Sequence, residues 1–211
     1  MENAAKALSI AGGVLIAVML AVLVYYVFTH WGESQRINQE NVEVQKVEDF
    51  NKSYLSYEKV LYGSELLGLV NKMSDYNISD DVTYSGYSTM SLSMKITDRT
   101  TGNLFSAGSY SLSGINNAIN TVMNNTVNSS KYKGQISDSQ WEYLAKASTS
   151  SKFNELCTEL KIPNSINREQ LKADAAEYYK YVQFKRKKFK HIGTEFSNDG
   201  RVSKMSFEET N

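Results

Sequence analysis

Residues 7–28 read ALSIAGGVLIAVMLAVLVYYVF, carry no charge, and decide how the rest of the chain is organised. At 1.5 Å rise per residue the run extends roughly 33 Å as a helix, enough to cross a hydrocarbon core of about 30 Å. Inside lipid, a lone apolar segment satisfies its backbone hydrogen bonds only as a helix. The reading is therefore a transmembrane anchor over residues 1–30. A cleaved signal peptide and a buried core helix compete with it. Signal peptides end in small side chains at the cleavage site. This run ends in Val24, Tyr25, Tyr26, Val27 and Phe28, followed by Trp31, and such aromatics suit the interface of a permanent span.

The flanks set the expected orientation. Lys6 precedes the span, and Arg36 and Lys46 follow it among several acids, so the basic residues are nearly balanced. A short polar N-terminus before Lys6 resembles a signal anchor. The expectation is a single-pass protein of the cell membrane with its C-terminal domain extracytoplasmic. Along the span, small residues recur every fourth position at Ala5, Ser9, Gly13, Ala17 and Ala21. Such a row lets a second helix approach closely, although Ala and Gly are also common in membrane helices generally. Self-association is the sharper reading.

Beyond the anchor the chain is polar: mean hydropathy over the whole sequence is −0.42 despite the apolar start. Lys plus Arg and Asp plus Glu number 23 each, so bulk charge points to neither a nucleic acid nor an acidic substrate. Fourteen Tyr and eight Phe supply bulk for a core. The single Cys157 excludes an internal disulfide framework and reads as a buried small hydrophobe.

The fold class expected is α+β. A transmembrane helix continues into a helical stalk over 31–62, with a thin apolar stripe at Ile37, Val44, Val47 and Tyr54. An extracytoplasmic domain follows over 63–211. Ser64 is placed to cap a helix carrying Leu66, Leu67, Leu69, Val70 and Met73 and ending near Asn77. Leu92, Met94 and Ile96 alternate with polar residues, the period of a half-buried strand. Turn chemistry over 98–103 leads to a second strand at 104–108. A short helix and polar loop occupy 111–130. Ser137 and Gln140 form a capping box before Trp141. A helix over 152–161 carries Phe153, Leu156, Cys157 and Leu160. After Pro163, another helix puts Leu171, Ala175, Tyr178 and Val182 on one face. Asn198, Asp199 and Gly200 form a hairpin turn between strands at 189–196 and 202–208. The expected sheet is antiparallel and built largely from two hairpins.

The opening Met-Glu-Asn-Ala-Ala-Lys-Ala-Leu, residues 50–77, and the stretch from Phe184-Lys-Arg-Lys-Lys-Phe-Lys through Asp199-Gly-Arg to Phe207-Glu-Glu resemble a group of uncharacterised bacterial single-pass membrane proteins. The resemblance implies a bacterial origin and this architecture. More distantly, an apolar helix running into a stalk and then a sheet resembles a type IV pilin or pseudopilin. Those precursors carry a basic leader ending in Gly, with a Glu soon after the cut. Here Gly12 and Gly13 are embedded in apolar sequence with no acid following.

No constellation reads as catalytic. His30 sits at the expected interface and His191 in the last hairpin, and neither is accompanied by a nucleophile signature. Two His, one Cys and scattered carboxylates lack the spacing of a zinc site. No phosphate-cradling glycine motif occurs. No catalytic, cofactor-binding or metal-binding residue is expected, and no cofactor. Asp80-Asp81 and Glu208-Glu209 read as solvated ends. The densest charge is Lys185, Arg186, Lys187, Lys188 and Lys190, framed by Phe184 and Phe189. It is a candidate for binding anionic polymers or lipid head groups. The plainer account is a solvated helix end, neutralised across the hairpin by Glu195, Glu208 and Glu209. Two functions follow. One is a non-enzymatic, pilin-like structural or assembly subunit of the bacterial cell envelope. Its partners are the lipid bilayer and either copies of itself or an assembly complex, with no nucleic acid. The other is a tethered monomeric module that binds anionic envelope polymers or lipid head groups.

Overall fold

The computed structural model describes residues 2–100 and 102–210. Side chains of residues 2–11 and 31–41 lie outside that description, and with them the expectations placed on Ala5, Lys6, Ser9, Trp31, Arg36 and Ile37. The chain divides into two compact units, Met1–Phe50 and Asn51–Asn211.

The first unit is helical and belongs to α1 (Glu2–Leu55). Within it, Gly12–His30 has a mean hydropathy of 2.3, and none of it is buried. Among the described residues it is the one helix long and apolar enough to span a membrane. The uninterrupted apolar run explains its helicity. Neither proline nor an internal polar cluster breaks the i to i+4 ladder.

The second unit is mixed α and β. After the last turn of α1 come β1 (Val60–Tyr62), α2 (Gly63–Asn77), α3 (Asp80–Thr83), β2 (Ser91–Ile96), β3 (Gly108–Ser111) and α4 (Leu112–Asn125). Then follow α5 (Asp138–Ala147), α6 (Phe153–Glu159), α7 (Arg168–Arg186), β4 (Lys188–Phe196) and β5 (Val202–Thr210). The five strands lie in the order β1-β4-β5-β2-β3. The pairs β1/β4, β4/β5 and β2/β3 are antiparallel, but β2 runs parallel to β5. The sheet is thus mixed rather than antiparallel throughout. Parallel neighbours need a long crossover, and here helices α4 to α7 intervene between β3 and the final hairpin. The register puts Leu92 opposite Met205 and Met94 opposite Phe207, all four buried, so parallel pairing keeps one apolar face continuous.

Three local expectations are corrected. Residues 60–62 form an edge strand instead of ending the stalk, because Leu61 is buried opposite Phe189. Tyr62, not Ser64, occupies the N-cap of α2, and the Glu65 carboxylate accepts from the Tyr62 N–H at 2.8 Å. The chain at Gly63 is pressed against α7: an added Cβ would lie 2.1 Å from the Phe184 carbonyl oxygen. The partner of β2 is Gly108–Ser111, not 104–108. Phe105 is buried against the rings of Tyr110 and Phe184, which takes that segment out of the ladder.

Other expectations match the structure. Leu92, Met94 and Ile96 are buried on β2, and Leu171, Ala175, Tyr178 and Val182 on α7. Ser137 and Gln140 cap α5 reciprocally. Leu66, Leu69, Val70 and Met73 form the buried stripe of α2, which packs on β1, β4, α4 and α7. A helical part of the core gathers Trp141, Leu144, Phe153, Cys157, Leu171 and Tyr178.

Candidate functional site

The helix α7 is the element that builds a site. Asn167 caps it, its side-chain oxygen accepting from the Glu169 and Gln170 N–H groups. One face of α7 is committed to the core. Lys180 and Gln183 project from the opposite side of α7, Arg186 is its last residue, and Lys187 is the extended C-cap that follows. Facing it is the turn at 98–103, whose Thr101 lies outside the described residues. Asp98 organises that turn: its carboxylate accepts from the Thr100 N–H at 2.8 Å and the Asn103 side-chain amide at 2.8 Å. Gly102 has φ +92°, a left-handed conformation that glycine adopts without steric cost. Helix and turn enclose an open cleft of about 570 Å³ lined by Asp98, Asn103, Lys180, Gln183, Arg186 and Lys187.

At its floor lies an ionic clasp. Lys187 Nζ donates to Asp98 Oδ2 at 2.8 Å and to Glu209 Oε1 at 2.5 Å. Glu209 Oε2 accepts the backbone N–H groups of Thr97 at 3.0 Å and Asp98 at 2.9 Å. The Lys187 side chain is 19% exposed and that of Glu209 only 7%. The Lys187 ammonium, with Thr100 and Asn103, holds the Asp98 carboxyl well below the usual carboxylate range. Burial pushes Glu209 up, but Lys187 and the two amides outweigh it and leave its carboxyl below the ordinary value. Burial likewise opposes the charge on Lys187, and the two carboxylates overcome it and raise its pKa. Glu209 is therefore a buried tie between β5, the 98–103 turn and the end of α7, not a solvated end.

The clasp splits the basic segment. Lys185 turns away, its ammonium 5.0 Å from the centre of the Tyr181 ring, beside a separate hollow lined by Asp138 and Glu142. Arg186 is exposed and lines the cleft. Lys187 is neutralised. Lys188 and Lys190 are exposed on the open face of the sheet, either side of buried Phe189. Of the acids expected to neutralise the segment, only Glu209 binds it. Glu208 pairs with Lys95 at 2.6 Å and Glu195 with Lys204 at 2.6 Å. The five cations therefore face in different directions. Lys180 and Gln183 were missed as site residues, although their i, i+3 spacing on one helix was readable. Asp98 and Asn103 had no such signal, being far from Lys187 in sequence.

The two histidines and the cysteine do not line the cleft. Thr194 donates to Glu58 Oε1 at 2.6 Å, so the 2.8 Å contact of its hydroxyl with His191 Nε2 requires the imidazole N–H to donate. The Thr194 hydroxyl thereby links His191 on β4 to Glu58. His30 lies 4.2 Å, centroid to centroid, from Tyr26 within the exposed helix. Burial pushes the Cys157 thiol up, which suits an inert core residue. Among the described residues no group of acids, His and Cys is arranged to hold a metal ion. Gly13, Ala17 and Ala21 are exposed on α1. Compared with known proteins, the chain matches no family model, no curated protein and no solved structure.

Proposed function

We propose that this chain is a membrane-anchored, non-enzymatic structural or assembly subunit of the bacterial cell envelope, with residues 51–211 on the extracytoplasmic side. The support for this is that Gly12–His30 is long and apolar enough to span a membrane and that none of it is buried. Val14, Leu15, Ile16, Met19, Leu20 and Leu23 are each 58–65% exposed. At about 1.5–3 kcal/mol per large apolar side chain, the run favours leaving water by on the order of 20 kcal/mol. A bilayer provides that cover, and the small side chains at Gly13, Ala17 and Ala21 offer a second helix close approach within it.

Assembly is tested in the membrane. Gly13→Ile and Ala17→Ile push helix backbones apart while staying apolar, and Leu15→Ile is the off-ridge control. Self-crosslinking should fall roughly tenfold for the first two, the effect of about 1–2 kcal/mol, and persist in the control. Equal crosslinking in all variants leaves a tethered monomeric binding module for anionic polymers or lipid head groups as the better reading. The scatter of Lys185, Arg186, Lys187, Lys188 and Lys190 counts against that module using them as one patch.

A further inference from the structure

The cleft beside α7 has an uneven balance of used and unused groups. Among the described residues Asp98 is the one acid lining it, and its oxygens are already taken by Thr100, Asn103 and Lys187. The Asn103 amide donates to Asp98 and to the Thr100 carbonyl, so its hydrogens are spent. Lys187 is spent on two carboxylates. What remains on the helical wall is donor capacity. Arg186 makes no ion pair with any described residue, and Gln183 and Tyr179 have no hydrogen-bond partner there. Lys180 pairs with Glu177 at 2.6 Å, but that carboxylate is 52% exposed. Such surface pairs are worth about 0–1 kcal/mol and exchange readily for a better anion.

We propose that this cleft binds a phosphoryl group, held by Arg186 and Lys180 and oriented by the Gln183 amide and the Tyr179 hydroxyl. A cation finds no free acid there. A carboxylate has two oxygens, whereas the guanidinium fork, ammonium, amide and hydroxyl together match the larger acceptor capacity of a phosphoryl group. Lys180 and Arg186 stand roughly 9 Å apart along the helix axis, so the cleft also accommodates a chain of linked phosphoryl groups. The clasp of Lys187, Asp98 and Glu209 is the rigid floor, and Lys187 is a positioning residue. The proposal goes beyond the assembly reading and stands whether or not α1 self-associates.

The test is calorimetric titration of the full chain in neutral nanodiscs at low salt, with tripolyphosphate as soluble probe. A parallel arm measures flotation with phosphatidylcholine vesicles containing phosphatidic acid. Arg186→Gln should weaken binding at least tenfold and Lys180→Gln severalfold, with the melting temperature unchanged for Arg186→Gln because that side chain is exposed. Lys188→Gln combined with Lys190→Gln, on the open sheet face, should change affinity less than twofold. Arg186-dependent binding of tripolyphosphate identifies soluble phosphate esters as the source of the ligand. Arg186-dependent binding to vesicles alone identifies lipid head groups. No binding by the native chain in either arm overturns the proposal. So does an equal loss from Lys188→Gln/Lys190→Gln, which indicates diffuse surface charge instead of a site.

Discussion

Replacing Lys187 with Met tests whether the clasp holds the second unit together. The substitution keeps most of the side-chain volume but removes the ammonium between Asp98 Oδ2 at 2.8 Å and Glu209 Oε1 at 2.5 Å. Glu209, 7% exposed, then keeps a carboxylate with two backbone N–H donors and no cation. Breaking a buried pair costs about 3–5 kcal/mol when the remaining charge is uncompensated. The two amides compensate in part, so about 2–3 kcal/mol is expected. For a unit of about 160 residues, 1 kcal/mol corresponds to about 2–4 °C, giving a fall in Tm of about 5–10 °C. The assay is thermal unfolding of the full chain in neutral detergent, followed by near-ultraviolet circular dichroism. The pH dependence adds a signature. Asp98 and Glu209 have pKa values below their ordinary ones, so their contribution is fully present above about pH 4.5. It is lost as pH falls through the lowered folded-state values. In the variant, Glu209 loses the cation that helped lower its pKa and so takes up a proton at higher pH than in the native chain, which relieves the uncompensated charge. The gap between native and variant Tm should narrow from pH 7 towards pH 3. A fall below 2 °C at pH 7, or a gap independent of pH, refutes the reasoning.

Gly63→Ala should destabilise the second unit by about 1–3 kcal/mol or more, since its Cβ would meet the Phe184 carbonyl oxygen at 2.1 Å, and backbone on both sides limits relief. Gly68→Ala, exposed within α2 with nothing within 4 Å of the new Cβ, should instead stabilise by about 0.5–1 kcal/mol in the same urea titration. Asn51→Ala removes bonds to the Gly200 carbonyl and the Val202 N–H, each 2.8 Å, that tie the last turn of α1 to the final hairpin. About 1–2 kcal/mol should be lost, and hydrogen exchange at the Val202 amide should accelerate while the Trp141 amide in the core keeps its protection.

Local features were legible because local rules govern them. The alternation at Leu92, Met94 and Ile96, the Asp199-Gly200 turn and the Ser137–Gln140 box each need only a few adjacent residues, and each appears where its pattern predicts. The three residues of β1 are too short to show a period, and their strand state depends on Phe189, which is remote in the chain. The parallel pairing of β2 with β5 is likewise decided by which apolar faces meet, not by either strand's own composition. Phe105 looked like a strand residue and became a core plug, because Phe184 and Tyr110 offered its ring better burial. The same limit applied to the site. The basic run at the end of α7 was plain, but Lys187 finds Asp98 and Glu209 only through the fold. With Lys187 consumed and Lys188 and Lys190 alternating onto the sheet's open face, the run stops being one patch. Only Arg186 of those five residues faces the cleft with its charge unspent.

Alkaline carbonate extraction of cell membranes tests directly whether Gly12–His30 lies in a bilayer. The full chain should remain in the membrane pellet at full length, while a chain of residues 31–211 is recovered in the soluble fraction. Recovery of the native protein in the supernatant, either intact or shortened by the first ~28 residues as a cleaved signal would leave it, contradicts the anchor.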